Sequence, residues 1–134
     1  MIAGIGTDIV EIERIRKAIK RNPNFIKKLF TLKEIEYFKS RNFSNEFIAG
    51  RFAAKEAVSK ALGTGFRGFS IKDIEIDRDE LGKPLVNLDE NIENRFFSGE
   101  YYRIHVSISH SRDNAIAYAI LEVDKDENRN LSGV

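Results

Sequence analysis

Apolar positions recur along this chain in two periods, one near 2 and one near 3.6. Residues 2–9, IAGIGTDI, read as a short strand that enters a turn at Gly6-Thr7-Asp8. From Glu11 to Arg21, Ile12, Ile15 and Ile19 fall at helical spacing, with Arg14, Arg16, Lys17, Lys20 and Arg21 on the remaining faces. Asn22-Pro23-Asn24 ends that helix. Phe25, Ile26, Leu29 and Phe30 sit in a short turn, and Thr31-x-x-Glu34 is a capping box that opens a helix to about Arg41. The longest helix runs from about Asn45 to Leu62, with Gly63 as its stop. Residues 74–78 and 85–87 flank DELGKP and predict a hairpin with a Gly82-Lys83-Pro84 corner. Residues 88–97 suit one more helix. Tyr102–Ser109 and Ala115–Val123 then alternate as two strands joined around His110–Asn114. The pattern predicts one α+β domain over 1–123, a small antiparallel sheet against a long helix, and a polar tail over 124–134.

Composition narrows this. The chain has 134 residues, enough for one domain with a true core. It has no cysteine, which excludes a disulfide scaffold, a cysteine-ligated zinc and a thiol nucleophile. No run approaches the ~18 apolar residues of a membrane span, and the N-terminus lacks a basic leader, so the expectation is a cytoplasmic protein with no membrane partner. Net charge is +1, but unevenly spread: residues 1–60 hold 13 Lys and Arg against 7 Asp and Glu, and residues 61–134 hold 9 against 14. Within 14–41 there are 10 basic and 2 acidic residues, which points to an acidic partner or ligand.

Two apparent motifs fail on context. Gly63-x-Gly65-x-x-Gly68 matches a dinucleotide fingerprint, yet it follows a helix instead of a strand. His105 and His110 are five residues apart, so a strand sends them to opposite faces and they form no two-histidine metal site. A metal here is then a hard ion on oxygen ligands, Mg²⁺ or Mn²⁺.

The long helix, NEFIAGRFAAKEAVSKAL, is unusual. Phe47, Ile48, Phe52, Val58 and Leu62 mark a wide apolar surface, but Arg51, Lys55, Glu56 and Lys60 interrupt it. Glu56 and Lys60 suit a surface ion pair. The same residues also suit a polyphosphate site, with three cations and one carboxylate on neighbouring faces. Asp8, after the first strand's glycines, is the natural second carboxylate for Mg²⁺.

GIGTDIVEIERI (4–15), NEFIAGRFAAKEAVSKALGTG (45–65), DELGKP (79–84) and HVSISHS (105–111) together resemble the 4′-phosphopantetheinyl transferases, specifically the small bacterial holo-acyl-carrier-protein synthases. The likeness runs from Met1 to about Glu122. The loop 66–69 is shorter than the family's and the tail longer. The resemblance implies that the phosphopantetheine arm of coenzyme A passes to a serine of apo-acyl carrier protein, releasing adenosine 3′,5′-bisphosphate, as part of fatty acid biosynthesis.

By resemblance, Asp8 and Glu56 match the Mg²⁺ carboxylates and Lys60 the lysine at the pyrophosphate. Arg51, Lys60, Gly63, Thr64, Gly65, Gly82, Lys83, Pro84, Ser109 and His110 match positions that hold coenzyme A. The family's small members are homotrimers with active sites between subunits. Glu56 is the candidate proton acceptor for the serine, directly or through a metal-bound water, and Lys60 the candidate charge stabiliser. Acyl carrier proteins are acidic, so Arg14, Arg16, Lys17, Lys20 and Arg21 become the docking surface. The competing expectation is a non-enzymatic nucleic-acid-binding module using 14–41. It leaves Asp8 and Glu56 unexplained, and no nucleic-acid partner is expected.

Overall fold

The computed structural model describes residues 1–63 and 68–124. Strand β1 spans Ile2–Glu11 and runs straight into helix α1, Ile12–Arg21. A five-residue helix α2, Phe25–Leu29, and helix α3, Leu32–Ser40, lead to helix α4, Asn45–Leu62. A 3-10 turn at Ile71–Asp73 opens strand β2, Ile74–Arg78, which pairs with β3, Pro84–Leu88. Helix α5, Glu90–Phe96, precedes strands β4, Tyr102–His110, and β5, Asn114–Val123. One antiparallel sheet has the order β1-β5-β4, and β2-β3 form a separate hairpin. This is the expected α+β arrangement of small antiparallel sheets about a long helix.

Local chemistry accounts for the boundaries. Thr31 accepts from Glu34 N and Glu34 returns a bond to Thr31 N at 2.8 Å, the reciprocal box that starts α3. Ser44 caps α4, and Gly63 ends it at φ +83°, a left-handed conformation in which glycine has no Cβ clash. Asp79 Oδ1 accepts from Leu81 N and Lys83 N, both at 2.9 Å, and so shapes the DELGKP corner.

The predicted turn at Gly6-Thr7-Asp8 does not exist; β1 passes through it without interruption. Its glycines serve packing instead. A Cβ on Gly4 would collide with the Ala61 carbonyl, and one on Gly6 with the Ala57 carbonyl. Helix α4 therefore lies directly on β1. Small residues repeat the theme across the interface: Ala49, Ala53, Ala54 and Ala57 of α4 and Ala115, Ala117 and Ala119 of β5 are all fully buried. Larger groups fill the flanks. Phe30, Phe38, Ile48 and Val58 are sealed from solvent, each stabilising the fold by roughly 1.5–3 kcal/mol.

The period of 2 in β1 places Gly4, Gly6, Asp8 and Val10 toward α4. Ile5 and Ile9 point to the other side of the sheet, where they are 68% and 63% exposed. In register beside them on β5 stand Ile116, Tyr118 and Ile120. The β1–β5 part of the outer sheet face is thus largely apolar and, among the described residues, uncovered, while β4 adds the polar Arg103, His105, Ser107 and Ser109 to that face.

Candidate active site

Helix α4 advances about 100° per residue, so Arg51 and Lys60 lie about 180° apart, with Glu56 about 40° from Lys60. The sequence expectation of three cations on neighbouring faces is corrected by this geometry. Each face of α4 meets a different part of the chain, and each makes its own site.

On the β1 side, Asp8 meets Glu56 and Lys60. Lys60 Nζ donates to the Thr7 carbonyl at 2.9 Å and to Asp8 Oδ1 at 3.2 Å. The lysine side chain is 54% exposed and Asp8 17%, so the pair is open to a ligand. Burial pushes the Glu56 carboxyl above its ordinary pKa, and the Asp8 charge pushes it the same way, with Lys60 opposing. Two carboxylates that repel each other beside a water-accessible cleft fit a hard divalent cation, which relieves that repulsion. Among the described residues no third carboxylate or histidine completes a metal cage. A site of this kind leaves the remaining positions to water and substrate phosphate. Asp8 and Glu56 line a cleft of about 390 Å³ whose walls are Ile9, Val10, Ile15, Phe25 and Phe52, with Arg14 at its rim.

On the opposite face, Arg51 is 7% exposed and its Nε has no hydrogen-bond partner among the described residues. Its guanidinium lies 4.3 Å from the Phe47 ring centroid and 5.5 Å from that of Tyr37. Burial is the largest cause lowering the Arg51 pKa, partly offset by Tyr37. Arg41 lies over the same two rings, and Arg78 over Tyr37. Arg51, Arg41, Gly82, Lys83, Pro84 and His110 line a cleft of about 950 Å³. A buried guanidinium with an unused donor, joined by two more cations, is a binding place for a phosphate-bearing ligand. Arg41, Tyr37 and Phe47 were missing from the sequence-based candidates; Arg41 ends α3, and the left-handed turn at Asn42 and Phe43 joins α3 to α4 beside this cleft.

The remaining candidates fall as follows. Ser109 is exposed on β4 and is not among the residues that line the cleft, although its neighbours Ser107, Ile108 and His110 are. Gly63 caps α4 with open space around it. Thr64 and Gly65, the loop 66–67 and the tail 125–134 lie outside the described residues. Arg14, Lys17, Lys20 and Arg21 are exposed on α1, while Arg16 is tied to Glu13 at 2.5 Å. Lys55 is corrected outright: it is fully buried and faces Glu34, not substrate.

The sequence pattern of the 4′-phosphopantetheinyl transferase superfamily matches residues 4–120. The chain belongs to this superfamily. It is 66% identical over 132 residues to the holo-[acyl-carrier-protein] synthase of Clostridium novyi, covering 98% of this chain and 96% of that one. Its fold is similar to the solved holo-[acyl-carrier-protein] synthase of Neisseria meningitidis, with a TM-score of 0.83, 37% identity, and coverage of 91% of this chain and 99% of that one. The Helicobacter pylori synthase, solved in complex with coenzyme A, matches with a TM-score of 0.78 at 36% identity, over 88% of this chain and 99% of the other. Nothing in this placement supports the nucleic-acid alternative. Its segment 14–41 is divided among three helices, and Lys33 is tied to Asp77 at 2.7 Å. Among the described residues no helix is long and apolar enough to cross a membrane.

Proposed function

We propose that this chain is a holo-acyl-carrier-protein synthase that moves 4′-phosphopantetheine from coenzyme A to a serine of apo-acyl carrier protein. The observation that supports it most is the division of α4: a cationic cleft on one face, and a carboxylate pair with a lysine on the other. Coenzyme A needs both, a seat for its nucleotide phosphates and a charge-neutralising centre at its pyrophosphate. Arg51, with Arg41, Lys83 and His110, holds the nucleotide end. Asp8 and Glu56 would hold Mg²⁺ or Mn²⁺, which would supply charge neutralisation at the pyrophosphate.

The serine hydroxyl attacks the phosphorus that bears pantetheine. The bond to the bridging oxygen breaks, and adenosine 3′,5′-bisphosphate leaves. Glu56 is the proton acceptor for the serine, directly or through a water beside it. Lys60, one helical turn away, stabilises the negative charge that builds on the pyrophosphate oxygens. Arg14, Lys17, Lys20 and Arg21 of exposed α1 steer the acidic carrier to the rim of the Asp8–Glu56 cleft.

The two clefts share no lining residue, and α4 stands between them. A complete site therefore draws its nucleotide seat and its carboxylates from different subunits. The exposed apolar side chains Ile5, Ile9, Tyr118 and Ile120 offer a surface for that assembly, and the family resemblance supports a homotrimer as its form. Such a role belongs in the cytoplasm, in fatty acid biosynthesis. The test is mass spectrometry of apo-acyl carrier protein after incubation with the protein, coenzyme A and Mg²⁺. Gain of one phosphopantetheine on serine, absent without Mg²⁺, is the expected result; an unmodified carrier overturns the proposal. Light scattering checks the trimer.

A further inference from the structure

Lys55 and Glu34 are buried to 0% and 2% exposure, and the reaction proposed above uses neither. Their bonds reach four segments. Lys55 Nζ donates to the Leu29 carbonyl at 2.8 Å, to Glu34 Oε1 at 2.5 Å and to the Ile71 carbonyl at 3.4 Å. Glu34 Oε1 also accepts from Thr31 N at 2.8 Å, and Oε2 accepts from Ile76 N at 3.0 Å. Every proton of the ammonium and both carboxylate oxygens are engaged.

The segments do not depend on this knot equally. Helix α3 is independently anchored by buried Tyr37 and Phe38, and β2 by buried Ile74 and Ile76. Helix α2 has no buried residue of its own. Its Phe25, Ile26 and Leu29 are only half-buried against the core, and its C-terminal end is fixed by Lys55 on the Leu29 carbonyl, by buried Phe30 and by Lys72 on the Lys27 carbonyl at 3.1 Å. At its other end α2 presents Phe25, whose ring lies 6.3 Å from that of Phe52. Both rings wall the cleft of Asp8 and Glu56.

We propose that Lys55 and Glu34 are positioning residues: they fix α2 against α4, and so hold Phe25 on Phe52 as the wall of the cleft that receives the carrier protein. This rests on the carrier being the second substrate. The nucleotide seat of coenzyme A stands on the other face of α4, lined by Arg41, Arg51 and Lys83, and only its pyrophosphate reaches the Asp8–Glu56 cleft. Loosening α2 therefore acts on the carrier more strongly than on coenzyme A.

The test uses the isosteric double variant Lys55→Met with Glu34→Gln, which leaves no unpaired buried charge and keeps an acceptor for Thr31 N. Its KM for the carrier rises about tenfold while its KM for coenzyme A stays within about twofold. Hydrogen exchange over residues 25–30 accelerates relative to α3. Phe25→Ala, which leaves the knot intact, gives the same split between the two KM values. A carrier KM unchanged in Phe25→Ala overturns the inference, whatever the double variant does. So do equal losses toward both substrates, or unchanged exchange over 25–30. The exchange measurement needs no carrier, so it separates failure of this inference from failure of the proposed activity.

Discussion

Lys55 and Lys60 are five residues apart on one helix, and each faces a carboxylate. Lys55 meets Glu34 where the two side chains are 0% and 1% exposed; Lys60 meets Asp8 where they are 54% and 17% exposed. The sealed pair has every donor and acceptor satisfied inside the protein, so it has nothing left for a ligand. The open pair is longer, at 3.2 Å, and keeps capacity that a phosphate can use. Burial drives Glu34 up and Lys55 down in pKa against their mutual attraction, so the sealed pair survives on geometry and hydrogen bonds instead of solvation. Each pair is a lysine of α4 and a carboxylate from another element. Solvent access is what separates a structural ion pair from a catalytic one.

The most severe way to break the comparison is to remove one member of the sealed pair. Lys55→Met alone leaves the Glu34 charge buried without its partner, and costs about 3–5 kcal/mol of stability. Urea unfolding measures it. A loss below about 1 kcal/mol, the ordinary range of an exposed pair, would mean that water reaches Glu34.

Glu56→Gln is next, and its two effects have opposite signs. Turnover falls by about 10²–10⁴-fold, the usual contribution of a positioned proton acceptor. Stability without metal increases. The folded state holds the Glu56 proton more tightly than the unfolded chain does, so ionising Glu56 destabilises the fold at any pH above its raised pKa. The amide removes that cost, and Tm at neutral pH rises by a few degrees. The same direction makes protons compete with Mg²⁺: the Mg²⁺ needed for half-maximal rate increases as pH falls toward the carboxyl range. A Tm that drops in Glu56→Gln would show that Asp8 and Glu56 do not repel.

Lys60→Ala sharpens the contrast from the open side. It lowers kcat about 10²-fold, with a smaller change in the KM for coenzyme A. Thermal unfolding moves by no more than an exposed pair is worth, about 0–1 kcal/mol. Unchanged kcat in steady-state assays would refute a role in the transition state.

How far the sequence reveals this arrangement depends on how local each signal is. The Thr31–Glu34 box and the Gly63 stop are written in a few adjacent residues, and the helix ends they mark were legible. Asp8 and Glu56 were legible as a pair because the family resemblance supplied the link that spacing lacks. The Gly6 turn was misread because glycine signals either a bend or a close approach, and only α4 lying on β1 decides between them. Lys55 was misread for a related reason. Charges at positions 51, 55, 56 and 60 leave a helix without a clearly polar face, so periodicity cannot tell which charge is inward. Glu34 was recognised only for its bond to Thr31; its partners on α4 and β2 are 21 and 42 residues away. Arg41 escaped notice because its cleft is assembled from α3, α4, the hairpin and β4.

The smallest effect tests whether the same logic of prior engagement extends to the surface. Arg14 and Arg16 look equivalent in a basic helix, yet they are not equally free. Arg16 makes two bonds to Glu13, through Nε at 2.9 Å and Nη2 at 2.5 Å, and the pair holds Glu13 below its ordinary pKa. Arg14 stands at the rim of the cleft and has no carboxylate partner among the described residues. A cation already matched by its own helix adds little to the long-range attraction of an acidic protein. Arg14→Glu is therefore expected to raise the KM for the carrier about tenfold, and Arg16→Ala by less than about threefold. Both leave the KM for coenzyme A unchanged. Raising salt should erase much of the Arg14 effect, since screening weakens steering for the wild type and leaves the variant less to lose. Equal losses at Arg14 and Arg16 would mean that the carrier binds the helix by total charge, and that the Glu13 pairing gives way when it docks.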